Sequence, residues 1–221
     1  MIAVAIDGPS GAGKSTIARE VARRLGYLYI DTGALYRSIG LYVLRQNQDP
    51  HLAEQVEKLL PEIDLTLCHE DGVQQVYLNG QNVSEEIRLP EVSMAASAVS
   101  AHPPVRQFLL ALQRRLAAEN NVIMDGRDIG TVILPDAKVK IFLTASAQRR
   151  AFRRWQELKE KGAPDTYEQV LADVEQRDYN DSHREIAPLR QAPDAVLVDT
   201  TQLDLEASID RVQQIIAEHL D

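Results

Sequence analysis

Short apolar segments recur along the chain between longer amphipathic ones. The apolar segments are Ala3–Asp7, Tyr27–Asp31, Val122–Asp125, Val139–Thr144 and Ala195–Asp199. Each is continuously apolar rather than alternating, which is typical of a parallel strand covered on both faces. The amphipathic segments predict helices at Lys14–Leu25, Gly33–Gln46, Pro104–Ala118, Ala147–Lys161 and Leu205–Leu220. This alternation predicts an α/β fold built on a doubly wound, five-stranded parallel sheet.

The interval between the second and third predicted strands has a different pattern and is far longer than one crossover helix requires. Within it, Asp64–His69 and Gln74–Leu78 alternate apolar and polar residues, as half-buried strands do. Asp71-Gly72 separates the two segments and Asn79-Gly80 follows them, and both dipeptides are strong signals for hairpin turns. We therefore predict a small antiparallel β insertion over residues 62–88.

The composition restricts the possible partners of the chain. Its 221 residues include 24 basic and 33 acidic side chains, a formal charge of −9, which disfavours loose binding to nucleic acid or anionic lipid. The one cysteine, Cys68, excludes an intrachain disulfide and fits a reducing cytosol. Ile2–Ile6 lacks a basic flank and leads into a glycine loop, and no apolar stretch reaches 18 residues. We expect a cytoplasmic protein without a signal peptide, a membrane span or a nucleic-acid partner.

A glycine-rich loop follows the first predicted strand and opens the first helix. Gly8–Ser15 matches the phosphate-binding pattern GxxxxGK[ST]. Backbone N–H groups and the helix N-terminus converge on phosphate in such a loop, while Lys14 reaches the β- and γ-phosphates and Ser15 holds Mg²⁺, directly or through water. The predicted ATP-binding residues are Gly8, Pro9, Ser10, Gly11, Ala12, Gly13, Lys14, Ser15 and Thr16.

Arginines and carboxylates follow the next two predicted strands. The second strand ends in Asp31–Arg37, in which we expect Thr32 to cap a helix that carries Arg37 one turn in. The third strand ends in Asp125-Gly126-Arg127-Asp128. There, Asp125 is placed to organise Mg²⁺ through water, Arg127 to clamp a phosphate and Asp128 to accept from an exocyclic amine. The alternative interpretations are a solvated arginine at position 37 and an internal salt-bridge cluster at 125–128.

Two predicted helices near the C-terminus are rich in arginine. Arg149, Arg150, Arg153 and Arg154 are spaced to cover one broad helix face. Because like charges on one face repel, we expect an anionic partner there, the alternative being a solvated helix paired with Glu157 and Glu160.

The second of these helices begins at Thr166, which forms a capping-box pattern with Gln169. Arg177, Asp181 and Arg184 follow in one stripe, which Asp173 and Glu175 could instead neutralise. Gly162-Ala163-Pro164 joins the two helices, and the pair is predicted to form a mobile lid that excludes water from a nucleotide site.

Taken together, the motifs resemble the bacterial cytidylate kinase family, a group of P-loop nucleoside monophosphate kinases. The motifs are Gly8–Ser15, Asp31–Arg37, Asp125–Val132 and Arg177–Asp181. The resemblance extends in order over nearly the whole chain and includes the β insertion. It implies a single P-loop kinase domain with a core (1–31, 105–146 and 186–221), an NMP-binding region with the β insertion (32–104) and a helical lid (147–185).

The resemblance also implies an activity: Mg²⁺-assisted, in-line transfer of phosphate from ATP to CMP and dCMP, giving CDP and dCDP. The expected catalytic residues are Lys14, Arg127, Arg153 and Arg154, with Mg²⁺ on Ser15, directly or through water, and on Asp125 through water. The resemblance places Arg149, Arg150, Arg153 and Arg154 in the lid. The implied CMP-binding residues are Thr32, Arg37, Ser97, Arg106, Arg127, Asp128, Arg177 and Asp181. In that assignment Ser97, Arg106 and Asp128 read the cytosine, Arg37 and Arg127 hold the phosphate, and Arg177 and Asp181 reach the ribose. Thr32 stands where the family often has serine. We expect a monomer.

The sequence leaves three other functions open. A kinase of the same class could act on UMP, AMP, shikimate or a nucleoside. A P-loop regulator would control a protein partner through its nucleotide state, although the guanine-specificity pattern NKxD of GTPases does not occur. A nucleic-acid-binding ATPase is opposed by the acidic net charge.

Overall fold

The computed structural model describes residues 1–70 and 73–220 and confirms the α/β class. The strands are β1 (Ala3–Asp7), β2 (Leu28–Asp31), β3 (Leu65–Glu70), β4 (Val73–Leu78), β5 (Gln81–Asn82), β6 (Val122–Gly126), β7 (Val139–Thr144) and β8 (Val196–Asp199). The helices are α1 (Lys14–Leu25), α2 (Thr32–Arg45), α3 (Ala53–Leu59), α4 (Pro90–Val99), α5 (Pro103–Glu119), α6 (Ala147–Glu160), α7 (Tyr167–His183) and α8 (Leu205–Leu220). The strands and helices for which the sequence predicted bounds begin and end within one residue of these positions.

The larger sheet has five parallel strands in the order β2-β6-β1-β7-β8. Strand β1 lies between β6 and β7, so the chain order reverses at β1, which is where open α/β sheets bind ligands beyond the carboxyl ends of their strands. Asp7 pairs with Gly126 on one side and with Phe142 on the other. The loops that follow β1, β6 and β7 therefore leave the sheet at the same edge.

The chain forms two compact units. The first unit comprises residues 1–28 and 120–221, and the second unit comprises residues 29–119. In the first, α1 packs on β1 and β6, while α8 packs on α1 and β7. Its interior is apolar and fully buried, as the continuous apolar strands predicted: Val4, Ile6, Ile123, Met124, Ile141 and Leu143.

The second unit contains the predicted antiparallel insertion. Strands β3, β4 and β5 form a separate sheet in that order, and Asn79 and Gly80 turn the chain from β4 to β5 with positive φ. The other predicted turn, Asp71-Gly72, lies outside the described residues. Helices α2 and α4 pack together, and one apolar cluster joins helices to the small sheet: Leu35, Ile39, Val76, Leu78, Val99 and Leu109.

Two helices of this unit, α3 and α4, were not predicted. In α4 the signals were available, because Pro90 occupies the first helical turn and buried Val92, Ala95, Ala96 and Val99 follow helical spacing. The short α3 buries only Val56, which is too weak a pattern to recognise. None of the helices described in residues 1–70 and 73–220 is long and apolar enough to cross a bilayer.

Gly8, the first residue after β1, cannot carry a side chain. Its φ is +150°, and a Cβ built there would lie 1.9 Å from the carbonyl oxygen of Leu143 in β7. Because both neighbouring segments belong to the central sheet, the clash cannot relax cheaply. We expect Gly8→Ala to lower the free energy of unfolding by more than about 4 kcal/mol, measured by thermal or denaturant unfolding.

Gly26→Ala is the matched control for this substitution. Gly26 also has positive φ, +67°, but a Cβ there would meet nothing within 4 Å. Only the left-handed backbone penalty of about 1–2 kcal/mol applies. Equal losses in the two variants would show that the Leu143 carbonyl does not exclude a side chain at position 8.

Candidate active site

The phosphate-binding loop has the structural context that its sequence predicted. It leaves β1 after Asp7, and α1 begins at Lys14 with Gly13 in the N-cap position. A glycine cap has no side chain to satisfy the N–H groups of the first turn, which lack intrahelical partners in any helix. The loop and the helix N-terminus therefore present a concentration of N–H donors suited to phosphate.

Lys14 is buried within this loop, with only 5% of its surface exposed. Its Nζ donates a hydrogen bond to the carbonyl oxygen of Pro9 at 2.8 Å. Burial and then the nearby Arg127 charge lower the pKa of Lys14 from its ordinary 10.5, while Asp125 and Asp7 act in the opposite direction. A phosphate arriving at the loop would add negative charge and favour the ammonium form.

Ser15 and Asp125 form an oxygen-rich pair beside Lys14. The Ser15 hydroxyl donates to Oδ2 of Asp125 at 2.8 Å, which connects the start of α1 to the end of β6. Among residues 1–70 and 73–220 no group of three or more His, Cys, Asp or Glu could hold a metal ion. The Ser15–Asp125 pair nevertheless fits Mg²⁺, because this ion is usually held by one or two protein oxygens together with substrate phosphates and water.

Asp7 was not predicted as part of the site. It is buried at the end of β1, and its two carboxylate oxygens accept from the backbone N–H groups of Ile129 and Gly130, each at 2.8 Å. Burial raises the pKa of the Asp7 carboxyl from 3.8 to about 6. The contact fixes the start of a π-helical turn (Ile129–Ile133) and so the direction of the chain just after Arg127-Asp128. The sequence did contain a signal for Asp7, because an acidic residue ends the first predicted strand directly before the glycine loop.

Two ion pairs connect the end of β6 to the end of α7. Arg127 Nε donates to Oδ2 of Asp181 at 2.7 Å, and Arg184 Nη2 lies 3.5 Å from Oδ1 of the buried Asp128. The structure thus brings together Arg127, Asp128 and Asp181, which lie far apart in sequence. It also adds Arg184, noted earlier only for its spacing.

The charge around Asp181 is dominated by these arginines. Burial alone would raise the pKa of the Asp181 carboxyl, but the guanidinium groups of Arg127, Arg177 and Arg184 together hold it below 3.8. Arg177 itself is exposed on α7. Asp181 therefore stays ionised at neutral pH, ready to accept hydrogen bonds.

Arg150 does not share a solvent-facing surface with its neighbours, so the prediction of one broad face of four arginines is wrong at this position. Only 4% of Arg150 is exposed. Its Nε donates to Ala145 O at 2.8 Å and its Nη1 to Ser10 O at 2.9 Å, while Asp178 of α7 pairs with the guanidinium. Arg150 therefore ties the phosphate-binding loop to both helices of the predicted lid.

The other three arginines of α6 differ among themselves. Arg153 Nη2 donates to Thr200 O at 3.0 Å, and burial and then the Arg149 charge lower the pKa of Arg153. Arg154 is exposed and lies 3.4 Å from Glu157, the pairing that the alternative interpretation expected. Arg149 is exposed as well.

Aromatic contacts join α6 to α7. Phe152 and Trp155 have ring centroids 6.1 Å apart, and Tyr167 meets Trp155 edge to face at 6.4 Å. The predicted capping box is confirmed: Thr166 accepts from the backbone of Gln169, whose side chain accepts from the backbone of Thr166. The two helices thus form a hairpin with its own small aromatic contact.

In the second unit the expected cap of α2 is corrected. Asp31, not Thr32, is the N-cap: its Oδ1 accepts from the N–H of Ala34 at 3.1 Å, and its Oδ2 accepts from Arg37 Nη2 at 2.7 Å. Asp31 has the extended backbone of a cap, whereas Thr32 is already helical and buried.

Arg106 and Ser97 also lie in the second unit. The Arg106 guanidinium stands 5.8 Å from the ring centroid of Tyr36, one residue before Arg37, and its Nη1 is 3.4 Å from Ser100 O. Ser97 is exposed on α4. Each unit therefore carries its own set of predicted site residues, and Thr32, Arg37, Ser97 and Arg106 form the set of the second unit.

Comparisons with known proteins point to one family. The family model described as cytidylate kinase matches residues 4–218. A cytidylate kinase of Caldicellulosiruptor bescii is 50% identical over 214 residues, which cover 97% of this chain and 95% of the relative. A cytidylate kinase of Carboxydothermus hydrogenoformans is 48% identical over 218 residues, 99% and 98% of the two chains. Among solved structures, an uncharacterized protein from Eubacterium ventriosum aligns over 98% and 99% with a TM-score of 0.54, and at 12% identity this likeness concerns the fold alone.

Proposed function

The chain belongs to the cytidylate kinase family, and on that premise we propose that it phosphorylates CMP and dCMP with ATP, giving CDP or dCDP and ADP. The observation that carries the proposal is the match to cytidylate kinases along almost the entire chain. The buried Lys14 at the start of α1 and the arginine–carboxylate pairs in both units support it, because phosphoryl transfer between two anions requires concentrated positive charge.

The chemistry needs little beyond alignment and charge. The acceptor is a phosphate oxygen, which is already a competent nucleophile, so no strong general base is required. Lys14 neutralises charge on the β- and γ-phosphates of ATP, and Arg127 does so on the acceptor phosphate. Arg153 and Arg154 of α6 approach the transferred group. Alignment of the attacking oxygen of CMP and the leaving oxygen of ADP with the γ-phosphorus of ATP supplies much of the remaining rate enhancement.

Mg²⁺ accompanies ATP in this proposal. The Ser15 hydroxyl would hold it directly or through water, and Asp125 would hold it through water. The donor set supports this assignment, because a hydroxyl and a carboxylate oxygen lie in contact at the phosphate-binding loop. Once bound, the ion would supply positive charge that favours phosphoryl transfer.

The remaining site residues each bind one part of the acceptor CMP. Arg37 and Arg127 hold the CMP phosphate, Ser97, Arg106 and Asp128 read the cytosine, and Arg177 and Asp181 reach the ribose. Thr32 is a further CMP-binding residue. We propose that the kinase domain has three parts: a core (1–31, 105–146 and 186–221), an NMP-binding region (32–104) and a lid (147–185). The ionised state of Asp181 and the burial of Asp128 support polar recognition at these positions.

We also place this activity in the cytoplasm, with the chain acting as a monomer. The free, exposed thiol of Cys68 supports a reducing compartment.

A panel of acceptors tests the proposed function. Release of ADP from Mg²⁺–ATP is measured with CMP, dCMP, UMP, AMP, shikimate or cytidine, and without an acceptor. We expect the highest kcat/KM with CMP and dCMP. A clear preference for another acceptor would assign a different kinase activity, and slow ADP release that ignores every acceptor would favour a nucleotide-dependent regulator.

A further inference from the structure

Asp31 makes two contacts with α2 through different oxygens. Oδ1 accepts from the N–H of Ala34 and caps the helix, while Oδ2 accepts from Nη2 of Arg37 at 2.7 Å. The side chains of Arg37 and Asp31 are 23% and 22% exposed, so the pair is partly shielded from water. One carboxylate therefore both begins the helix and fixes the guanidinium that lies over its first turn.

Gly33 leaves the space in which this pair lies. A Cβ at position 33 would stand 3.0 Å from Nη1 of Arg37 and 3.1 Å from Oδ1 of Asp31. A side chain there would press on the guanidinium and on the capping oxygen together. The guanidinium of Arg37 is consequently held along the first turn of α2, between a carboxylate and a glycine.

Arg37 keeps donor capacity after pairing with Asp31. A guanidinium has five N–H donors, and Asp31 is bonded to one nitrogen. The Arg37 Nε is buried and has no hydrogen-bond partner among the described residues. An unsatisfied buried donor on a cation is costly, so this pairing is incomplete as a purely structural ion pair.

The antiparallel insertion holds Asp31 from the other side. The backbone N–H of Asp31 donates to Oε1 of Gln74 at 2.9 Å, and Gln74 is buried although it is polar. Two residues earlier, Tyr29 O is 2.8 Å from Nε2 of His69. Strands β3 and β4 therefore each hold the end of β2 just before α2 begins.

We propose that Asp31 is a positioning residue for Arg37 and that Gln74 fixes Asp31, so that the guanidinium is oriented before the acceptor phosphate binds. The inference rests on the proposed function, in which Arg37 holds that phosphate. An unrestrained arginine would lose side-chain entropy on binding, and the restraint removes part of that loss. The negative charge of Asp31 repels an incoming phosphate, so charge balance alone predicts tighter CMP binding when Asp31 is replaced by a neutral residue. Weaker CMP binding after that replacement therefore indicates a positioning role.

Asp31→Ser tests the positioning role while keeping the cap. Serine is a good N-cap, but its hydroxyl is too short to reach Arg37. We expect KM for CMP to rise about tenfold while KM for ATP stays within about twofold. The reason is that a misplaced Arg37 weakens its charge-assisted contact with the CMP phosphate and touches no part of ATP. The thermal midpoint should remain close to that of the wild type, whereas a merely structural role would lower it.

Two further comparisons make the test specific. In an Arg37→Ala background, Asp31→Ser should add nothing, because the group that it positions is absent. Gln74→Ala should raise KM for CMP by about threefold through a misplaced Asp31. Gln75→Ala is the matched control, since Gln75 lies next to Gln74 on β4 but bonds to Asn82, and it should leave KM unchanged.

An unchanged or lower KM for CMP in Asp31→Ser, or a full additional loss in the Arg37→Ala background, would overturn the inference. These outcomes are distinct from failure of the proposed function. If the wild-type chain leaves CMP unphosphorylated, the proposed function fails and the inference fails with it. CMP phosphorylation by the wild type combined with additive losses rejects the positioning role alone.

Discussion

Replacing Lys14 by methionine is expected to lower kcat by about a thousandfold while leaving the protein folded. Methionine fills a similar volume but removes the only ammonium group in the phosphate-binding loop. Burial lowers the pKa of Lys14, so the charged form costs stability wherever the pH lies below the unfolded value of 10.5. The neutral variant should therefore show an equal or higher thermal midpoint at pH 7. Steady-state kinetics and thermal unfolding together check both expectations.

Lys140→Met is the control for this prediction. Lys140 is also a buried lysine of the first unit, but its Nζ pairs with Asp194 at 2.7 Å, outside the phosphate-binding loop. We expect it to retain turnover and to lose stability instead. Near-normal turnover in Lys14→Met, or equal loss of turnover in both variants, would contradict the assigned role of Lys14.

Replacing Arg37 by alanine is expected to raise KM for CMP about a hundredfold and to leave KM for ATP nearly unchanged. In the proposed mechanism its guanidinium contacts only the acceptor phosphate. Initial rates at varied CMP and varied ATP separate the two substrates. Loss of the Asp31 contact should have little effect on α2, because the cap to Ala34 uses the other carboxylate oxygen.

Arg45→Ala offers a comparison within the same helix. Arg45 lies at the end of α2 and pairs with Glu86, so it is an ion-paired arginine of the same element. Its removal should leave both KM values within about twofold, as for other surface ion pairs of small energetic weight. Equal increases in KM for CMP and ATP in Arg37→Ala would place that residue elsewhere in the mechanism.

The fold could be predicted because its signals are local. Continuous apolar segments define β1, β6 and β7, and the loop at Gly8–Ser15 follows directly from its residue types and spacing. The insertion was recognisable from alternation and from Asn79-Gly80. The predicted periodicities, the capping box at Thr166 and the turn at Asn79-Gly80 are all local in sequence, and the structure confirms them.

Contacts between distant residues could not be predicted in the same way. Arg150 looks like its neighbours on α6, and only the approach of Ser10 and Asp178 explains its burial. The pairing of Arg127 with Asp181 likewise joins residues 54 positions apart. The cap of α2 was missed for a smaller reason: Asp31 and Thr32 are both good capping residues, and the backbone decides between them.

Each of the two units of this acidic chain carries arginines that can bind anions. Arg37, Arg127 and Arg150 each face a carboxylate, which limits the repulsion that clustered cations would otherwise create. The net charge of −9 is therefore a property of the whole chain and does not describe the surroundings of these arginines.

The most direct test follows the transferred group itself. ATP labelled in its γ-phosphate is incubated with the protein, Mg²⁺ and CMP, and the products are separated. The account predicts that the label appears in the β-phosphate of CDP, in step with ADP formation. Label found only in inorganic phosphate, or CMP that remains unlabelled while another acceptor takes up the phosphate, would contradict it.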